Sequence, residues 1–241
     1  MHKNRFSYCI GNHGQSSAVR KGKKMNHKGL LVVISGFSGA GKGTLMKKLL
    51  QDYEQYALSI SMTTRAPREG EVDGREYFFA TREQFEDKIS KGGFIEHAQY
   101  CGNYYGTPKD YVEKQMEEGR DVILEIEIQG AMKVKEQFPD AILLFVMPPS
   151  IAQLHQRLVG RGTETEEVIK ERLLRANEEA VGIESYDYII INDDLDACVK
   201  ELHELLMKSH EGIQTQYHPN NHSELIKDIR SQLEDLVKGE K

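Results

Sequence analysis

Apolar positions along the chain gather into short runs set between amphipathic stretches. Leu30 to Ile34 is one run, and VILEIEI at 122–128, ILLFVM at 142–147 and YDYIII at 186–191 are others. Runs this short predict strands that are covered on both faces. Between them apolar residues recur at helical spacing. Leu45, Leu49, Leu50 and Tyr53 form one such stripe, Leu154 and Leu158 a second, and Leu202, Leu205 and Leu206 a third. Thr81 to Ile89 reads as a short helix ended by Gly92 and Gly93. Thr107 and Pro108 read as the N-cap and first residue of a helix that Gly119 closes, and Thr163 with Glu166 reads as a capping box. Strands alternating with helices predict an α/β fold with a parallel sheet flanked by helices. Ser59 to Phe79 interrupts the alternation and reads as strand, exposed loop, strand, the loop marked by Pro67, Gly70 and Gly74.

The two ends of the chain differ from this body. Residues 1–27 mix Ser, Gly, Asn, His and Lys with little periodicity and read as a basic extension without fixed structure, within which Met25 is an alternative start. Residues 28–210 form the main domain. Residues 211–241 read as a linker and a helix, whose Ile226, Ile229, Leu233 and Leu236 follow a 3-4-3 spacing suited to docking on the domain or on a partner. Seven Lys or Arg and no acid lie in residues 1–28, so the rest of the chain is more acidic than the overall charge of −6. An acidic body argues against a nucleic-acid groove and leaves anionic ligands to local arginines and backbone amides. No apolar stretch is long enough for a transmembrane helix and no secretory h-region is visible, which predicts a cytoplasmic protein without a membrane partner. Cys9, Cys101 and Cys198 are far apart and have no metal-ligand spacing. His210, His218 and His222 likewise lack the Cys or carboxylate company of a zinc site.

The chemistry centres on GFSGAGKGT. Here Gly36, Phe37, Ser38, Gly39, Ala40, Gly41, Lys42, Gly43 and Thr44 follow an apolar strand and open a helix. Glycines let consecutive N–H groups turn inward around a phosphate, and the helix start adds its positive end. Lys42 supplies a mobile ammonium for the β- and γ-phosphates of a nucleotide, and the whole describes a P-loop. Thr44 stands one position later than the usual hydroxyl, so Mg²⁺ would be held mainly by phosphate and water. No side chain is singled out as a metal ligand.

Further polar groups cluster beyond the loop. Arg65 and Arg68 lie three apart in the exposed loop, placed either to converge on an oxyanion or simply to be solvated. FIEHAQYCGNYYGTP brings Glu96, Tyr104, Tyr105 and Thr107 into one segment. Glu125 and Glu127 fall on the same face of an otherwise apolar strand, where a carboxylate is costly without partners. Arg157 and Arg161, and Arg172 and Arg175, share helical faces around Gly160 and Gly162. Neighbouring glutamates offer surface ion pairs to some of them, Arg175 above all.

From about Lys28 to His210 the chain resembles the guanylate kinase family. SMTTRAPREGEVDGREYFF, FIEHAQYCGNYYGTP, LEIEIQG, RLVGRGTET and YIIINDDLD occur in the family's order. The resemblance implies a P-loop core with a GMP-binding insertion near 61–108 and a lid near 153–183. It implies phosphoryl transfer from ATP to GMP with Mg²⁺, in an enzyme that could be a homodimer. Ser61, Arg65, Arg68 and Tyr77 would lie on the GMP side, with Tyr105 near its phosphate, Glu96 and Thr107 on the base, and Glu127 on the guanine or magnesium side. Lys42, Arg68, Arg161 and Arg172 would act on the transferring phosphoryl group, with Arg157 nearby and Asn192 at the adenine. Phe37 stands where the family usually has proline, and Glu127 where many members have aspartate. A kinase of another small phosphate, such as a ribosyl bisphosphate, and a non-catalytic binding module are the competing readings. The intact phosphate machinery argues against the module.

Overall fold

A computed structural model describes residues 28–160, 165–213 and 218–238. Its main sheet is parallel, in the order β2 (Tyr56–Leu58), β7 (Asp121–Glu125), β1 (Leu31–Gly36), β8 (Ile142–Met147) and β9 (Tyr188–Ile191). The central strand β1 pairs Val32 with Ile123 on one side and with Ile142 on the other. Its residues Val32, Val33 and Ile34 are fully buried, as continuous apolar strands between two helical layers require.

Helices α1 (Lys42–Asp52), α3 (Lys109–Glu117), α4 (Ile128–Gln137), α5 (Ile151–Val159), α6 (Glu166–Ala180) and α7 (Leu195–His210) surround this sheet. One core runs through it, and Phe37 belongs to that core. The Phe37 ring is fully buried and meets Phe145 edge to face at 5.2 Å, so the chain fills with an aromatic contact the place where proline is usual. At the opposite end of the sheet, buried Asp121 accepts from the Leu30 amide at 2.8 Å and lies 2.8 and 3.0 Å from Nε2 of His210. That contact ties the last turn of α7 to the start of β7.

A second sheet projects from the core in the order β4 (Phe78–Phe79), β3 (Met62–Thr63), β6 (Asn103–Pro108) and β5 (Phe94–Tyr100). Helix α2 (Arg82–Ser90), capped by Thr81 in a full capping box, packs on it through Phe85, which stacks on Phe94 at 4.3 Å and on Tyr104 at 5.2 Å. β5 and β6 form a hairpin around Cys101 and Gly102, whose positive φ values of 48 and 78 suit a two-residue primed turn.

Three sequence expectations need correction. β7 ends at Glu125, and Glu127 is the N-cap of α4, so the two glutamates do not share a strand face. Thr107 is a strand residue of β6 rather than a helix cap, and Pro108 takes the N-cap position of α3. The N-cap of α6 is Thr165, and Thr163 lies outside the described residues. The C-terminal helix α8 (Ser223–Lys238) docks on the domain, burying Ile226, Ile229 and Leu233 in the main core. The side chain of Leu236 lies outside what is described. Among the described residues, no helix is long and apolar enough to cross a membrane.

Candidate active site

The loop from Gly36 to Thr44 joins β1 to α1, which begins without a side-chain cap. Its first N–H groups are therefore left for a ligand, and the helix dipole favours an anion there. Gly41 is the N-cap at φ 91, and a Cβ on it would come within 2.5 Å of the Asn192 amide, so both backbone and space require glycine. Lys42 folds back over the loop, its Nζ donating to the carbonyls of Gly36 at 2.6 Å and Phe37 at 3.1 Å. Thr44 is exposed in the first turn of α1.

Several long-range contacts hold this loop in shape. Asn192, buried at the end of β9, donates to the Ala40 carbonyl at 2.8 Å. Arg157 of α5 reaches the Asn192 carbonyl at 2.7 Å and that of Ala40 at 3.3 Å. Arg172 of α6 donates to Oγ of Ser38 at 2.5 Å. Asn192 thus has its amide engaged by the loop, and Arg172 touches the loop at Ser38. Arg161 lies outside the described residues.

Two carboxylates feel the charge of Lys42. Burial raises the Glu125 carboxyl above its ordinary range against the opposing charge of Lys42, although part of the residue is open to solvent. Burial likewise raises Glu179, which the Lys42 and Arg175 charges oppose; one of its oxygens is buried without a hydrogen-bond partner. Glu179 stood in the sequence only as one of several surface acids on α6. Its burial depends on a long-range approach that helix periodicity does not encode. Glu127 pairs with Arg175 at 2.6 Å, both largely exposed, so this pair contributes little on its own.

The second sheet carries a different chemistry. Glu96 and Thr107 are directly opposed in the β5–β6 ladder, and the Thr107 hydroxyl, fully buried, donates to Oε1 of Glu96 at 2.8 Å. Burial raises the Glu96 carboxyl, and the Thr107 bond is the first of the effects that oppose it, with the charges of His97 and Lys133 adding to it. Arg65 is held by both oxygens of Glu71 at 2.9 and 3.0 Å and lies 5.3 Å from the Tyr77 ring centroid. Tyr77 meets Tyr105 at 6.2 Å. The Arg68 backbone amide donates to the same Glu71 at 2.7 Å while the residue itself is exposed, so Glu71 links the Arg65 guanidinium to the backbone at Arg68. Ser61 is half-buried beside β3. Arg65, Tyr77 and Tyr105 therefore form one group, and Glu96 with Thr107 another, on the same small sheet.

A glycine loop between a parallel strand and a helix, arginines from following helices and a separate sheet with a half-buried carboxylate define the class of P-loop phosphotransferases. The guanylate kinase family model matches residues 28–209. The chain is 51% identical over 183 residues to a guanylate kinase of Halalkalibacterium halodurans, covering 76% of this chain and 90% of the relative. It is 50% identical over 186 residues to one of Bacillus cereus, covering 77% and 91%. A crystal structure of guanylate kinase from Anaplasma phagocytophilum superposes with a TM-score of 0.58 at 33% identity, covering 81% of this chain and 92% of that one. The chain belongs to the guanylate kinase family.

Proposed function

We propose that this chain transfers the γ-phosphoryl group of ATP to GMP, giving ADP and GDP. The observation that carries this reading is the presence of two chemistries in one fold: the P-loop with Lys42 on the core, and half-buried Glu96 with buried Thr107 on the second sheet. A phosphate oxygen of GMP is already anionic near neutral pH, so no general base is needed. The protein contributes position and positive charge.

In this reading the loop amides from Gly36 to Thr44 and the start of α1 hold the ATP phosphates, and Lys42 swings from the loop carbonyls to the transferring group. Arg172, already at Ser38, meets the charge that develops there, with Arg161 and Arg68 in the same role. Arg157 and Asn192 hold the loop to the shape the phosphates need. On the acceptor side, Ser61, Arg65, Tyr77 and Tyr105 take the GMP phosphate, and Glu96, set by Thr107, takes guanine N1–H and the exocyclic amine. Guanine offers these two donors side by side, and an ionised carboxylate can only accept. Glu127, held by Arg175, would take a guanine- or magnesium-side role.

The oxygen donors bordering the loop, Thr44 and Glu125, suit Mg²⁺, which keeps several waters and binds chiefly through substrate phosphates. Bound there, the ion would neutralise phosphate charge. The test is a coupled assay of the purified chain with ATP against GMP, AMP, UMP, CMP and ribose 1,5-bisphosphate. GMP should exceed the other acceptors by at least about a hundredfold in kcat/KM. Equal use of AMP, or preference for the bisphosphate, overturns the reading.

A further inference from the structure

Helix α6 presents two faces. Arg172, Arg175 and Glu179 line one, where Arg172 reaches Ser38 and Arg175 reaches Glu127 and Glu179. Ile169, Leu173, Ala176 and Ala180 line the other and are buried. Something must cover that apolar stripe, and α6 has α8 as its main packing neighbour, ahead of α5. Ala176 and Ala180 keep the stripe low enough for a close approach. α8 answers with Ile226, Ile229 and Leu233, all in the same core cluster as the α6 stripe. A second tie lies just past the end of α6, where Arg230 of α8 pairs with Glu184 at 3.3 Å. The turn Pro219–His222, ahead of α8, packs on β9 and on the turn holding Glu184. The Pro219–His222 turn and α8 lie beyond the residues matched by the family model, which end at 209, whereas α6, Glu184 and β9 lie within them.

We propose that α8 is a brace for α6, with Ile229 and Leu233 acting as positioning residues that hold Arg172 over the P-loop. The proposal rests on the reading of Arg172 as a group that meets the transferring phosphate. The mechanism is steric. A helix packed on one long face by another helix has little freedom to roll or slide, and side chains on the adjoining face inherit that fixity. Arg172 is adjacent to Leu173 of the buried stripe, so a roll of α6 moves its guanidinium away from Ser38. A displacement of about 1 Å at a transition-state contact is enough for a large loss of rate. The brace therefore acts on kcat and leaves the GMP side, which lies on a different sheet, almost untouched.

The experiment is a double-mutant cycle on the full chain. Leu233→Ala and Arg172→Ala are made singly and together, and kcat, KM for GMP and thermal melting are recorded at a temperature where every variant is folded. Leu233→Ala should lower kcat roughly tenfold with KM for GMP changed less than about twofold. In the Arg172→Ala background it should lower kcat by less than about twofold, because the group it positions is gone. Full multiplication of the two effects, or an unchanged kcat in folded Leu233→Ala, overturns the brace. An unchanged kcat in Arg172→Ala overturns the Arg172 reading itself and is distinguishable from both. Should Leu233→Ala not fold, Ile229→Val and Arg230→Ala make the same comparison with smaller lesions, and Lys227→Ala on the exposed face of α8 serves as the control with wild-type kcat.

Discussion

Replacing Thr107 by Val removes a single hydroxyl at nearly constant volume, and the structure gives its consequence. The hydroxyl has one proton, and Glu96 receives it at 2.8 Å. A hydrogen bond to an ionised group contributes about 1.5–3 kcal/mol, so kcat/KM for GMP should fall by roughly ten- to a hundredfold in Thr107→Val while AMP, which gains nothing from the carboxylate, falls little. Glu96→Gln goes further. If Oε1 keeps its bond from Thr107, the new amide turns N–H donors toward the guanine donors, and the loss should be about 3 kcal/mol, at least a hundredfold. The pH dependence follows from the same contact. Burial raises the Glu96 carboxyl above its ordinary 4.5, and the Thr107 bond holds it down. Two opposite trends result. A raised folded-state value means the folded state binds its proton more tightly than the unfolded chain, so this group's contribution to stability is complete below 4.5 and is lost as pH rises through the folded value. GMP recognition needs the carboxylate, so kcat/KM for GMP should fall on acidification at a higher pH than an ordinary carboxylate would give. In Thr107→Val that acid limb should move higher still. The assay is kcat/KM for GMP and AMP across pH in the wild type and both variants. An unchanged ratio of GMP to AMP in both, or an acid limb that does not move in Thr107→Val, would refute the assignment of this pair to the base.

Two further substitutions address the donor side. Lys42→Met keeps the stem that packs on the loop and removes its charge, so the fold should persist, by circular dichroism and melting, while kcat drops by about 3 kcal/mol, more than a hundredfold; near-normal turnover would remove Lys42 from the transition state. Asn192→Ala removes the amide bond to Ala40 and should raise KM for ATP and for GTP as donor by similar factors of roughly ten, whereas selective loss of ATP over GTP would mean that Asn192 reads the adenine instead of supporting the loop.

The chain announces some of this openly and conceals the rest for physical reasons. The P-loop is legible because everything it needs is local: an apolar strand, glycines where Cβ atoms collide, a lysine and a helix start. The core strands β1, β7, β8 and β9 are legible because burial on both faces leaves continuous apolar runs. β2 is only three residues long and carries no such run. The β5–β6 hairpin is hidden because its turn is Cys101-Gly102, not the Asn-Gly that usually announces a primed turn. Helix α4 is hidden because Ile126 and Ile128 continue the alternation of β7 past its end, and Gly130 weakens the helical pattern that follows. The 3-4-3 stripe of α8 shows that a face must be covered, but a stripe does not name its partner; that needed the positions of α5 and α6.

The long-range contacts also divide the site in a way that residue lists do not. Ala40 is fixed by Asn192 from the end of β9 and by Arg157 from α5, and Ser38 is touched by Arg172 from α6. The donor cradle and the helices carrying these arginines thus form one packed unit, continuous with α7 and α8 through the main core. The Glu96–Thr107 pair belongs to the other sheet, whose own aromatic cluster of Phe85, Phe94 and Tyr104 organises it separately and which meets the core through α3 and α4. Under the proposed assignment, binding of each nucleotide would be decided largely within one unit. The chemical step alone would depend on the placement of one unit against the other, because one would present the acceptor oxygen and the other the phosphoryl group. Substitutions that loosen the contact of α3 or α4 with the insertion should consequently appear in kcat before they appear in either KM, which is the pattern expected when binding energy is used to orient two reactants rather than to hold each more tightly.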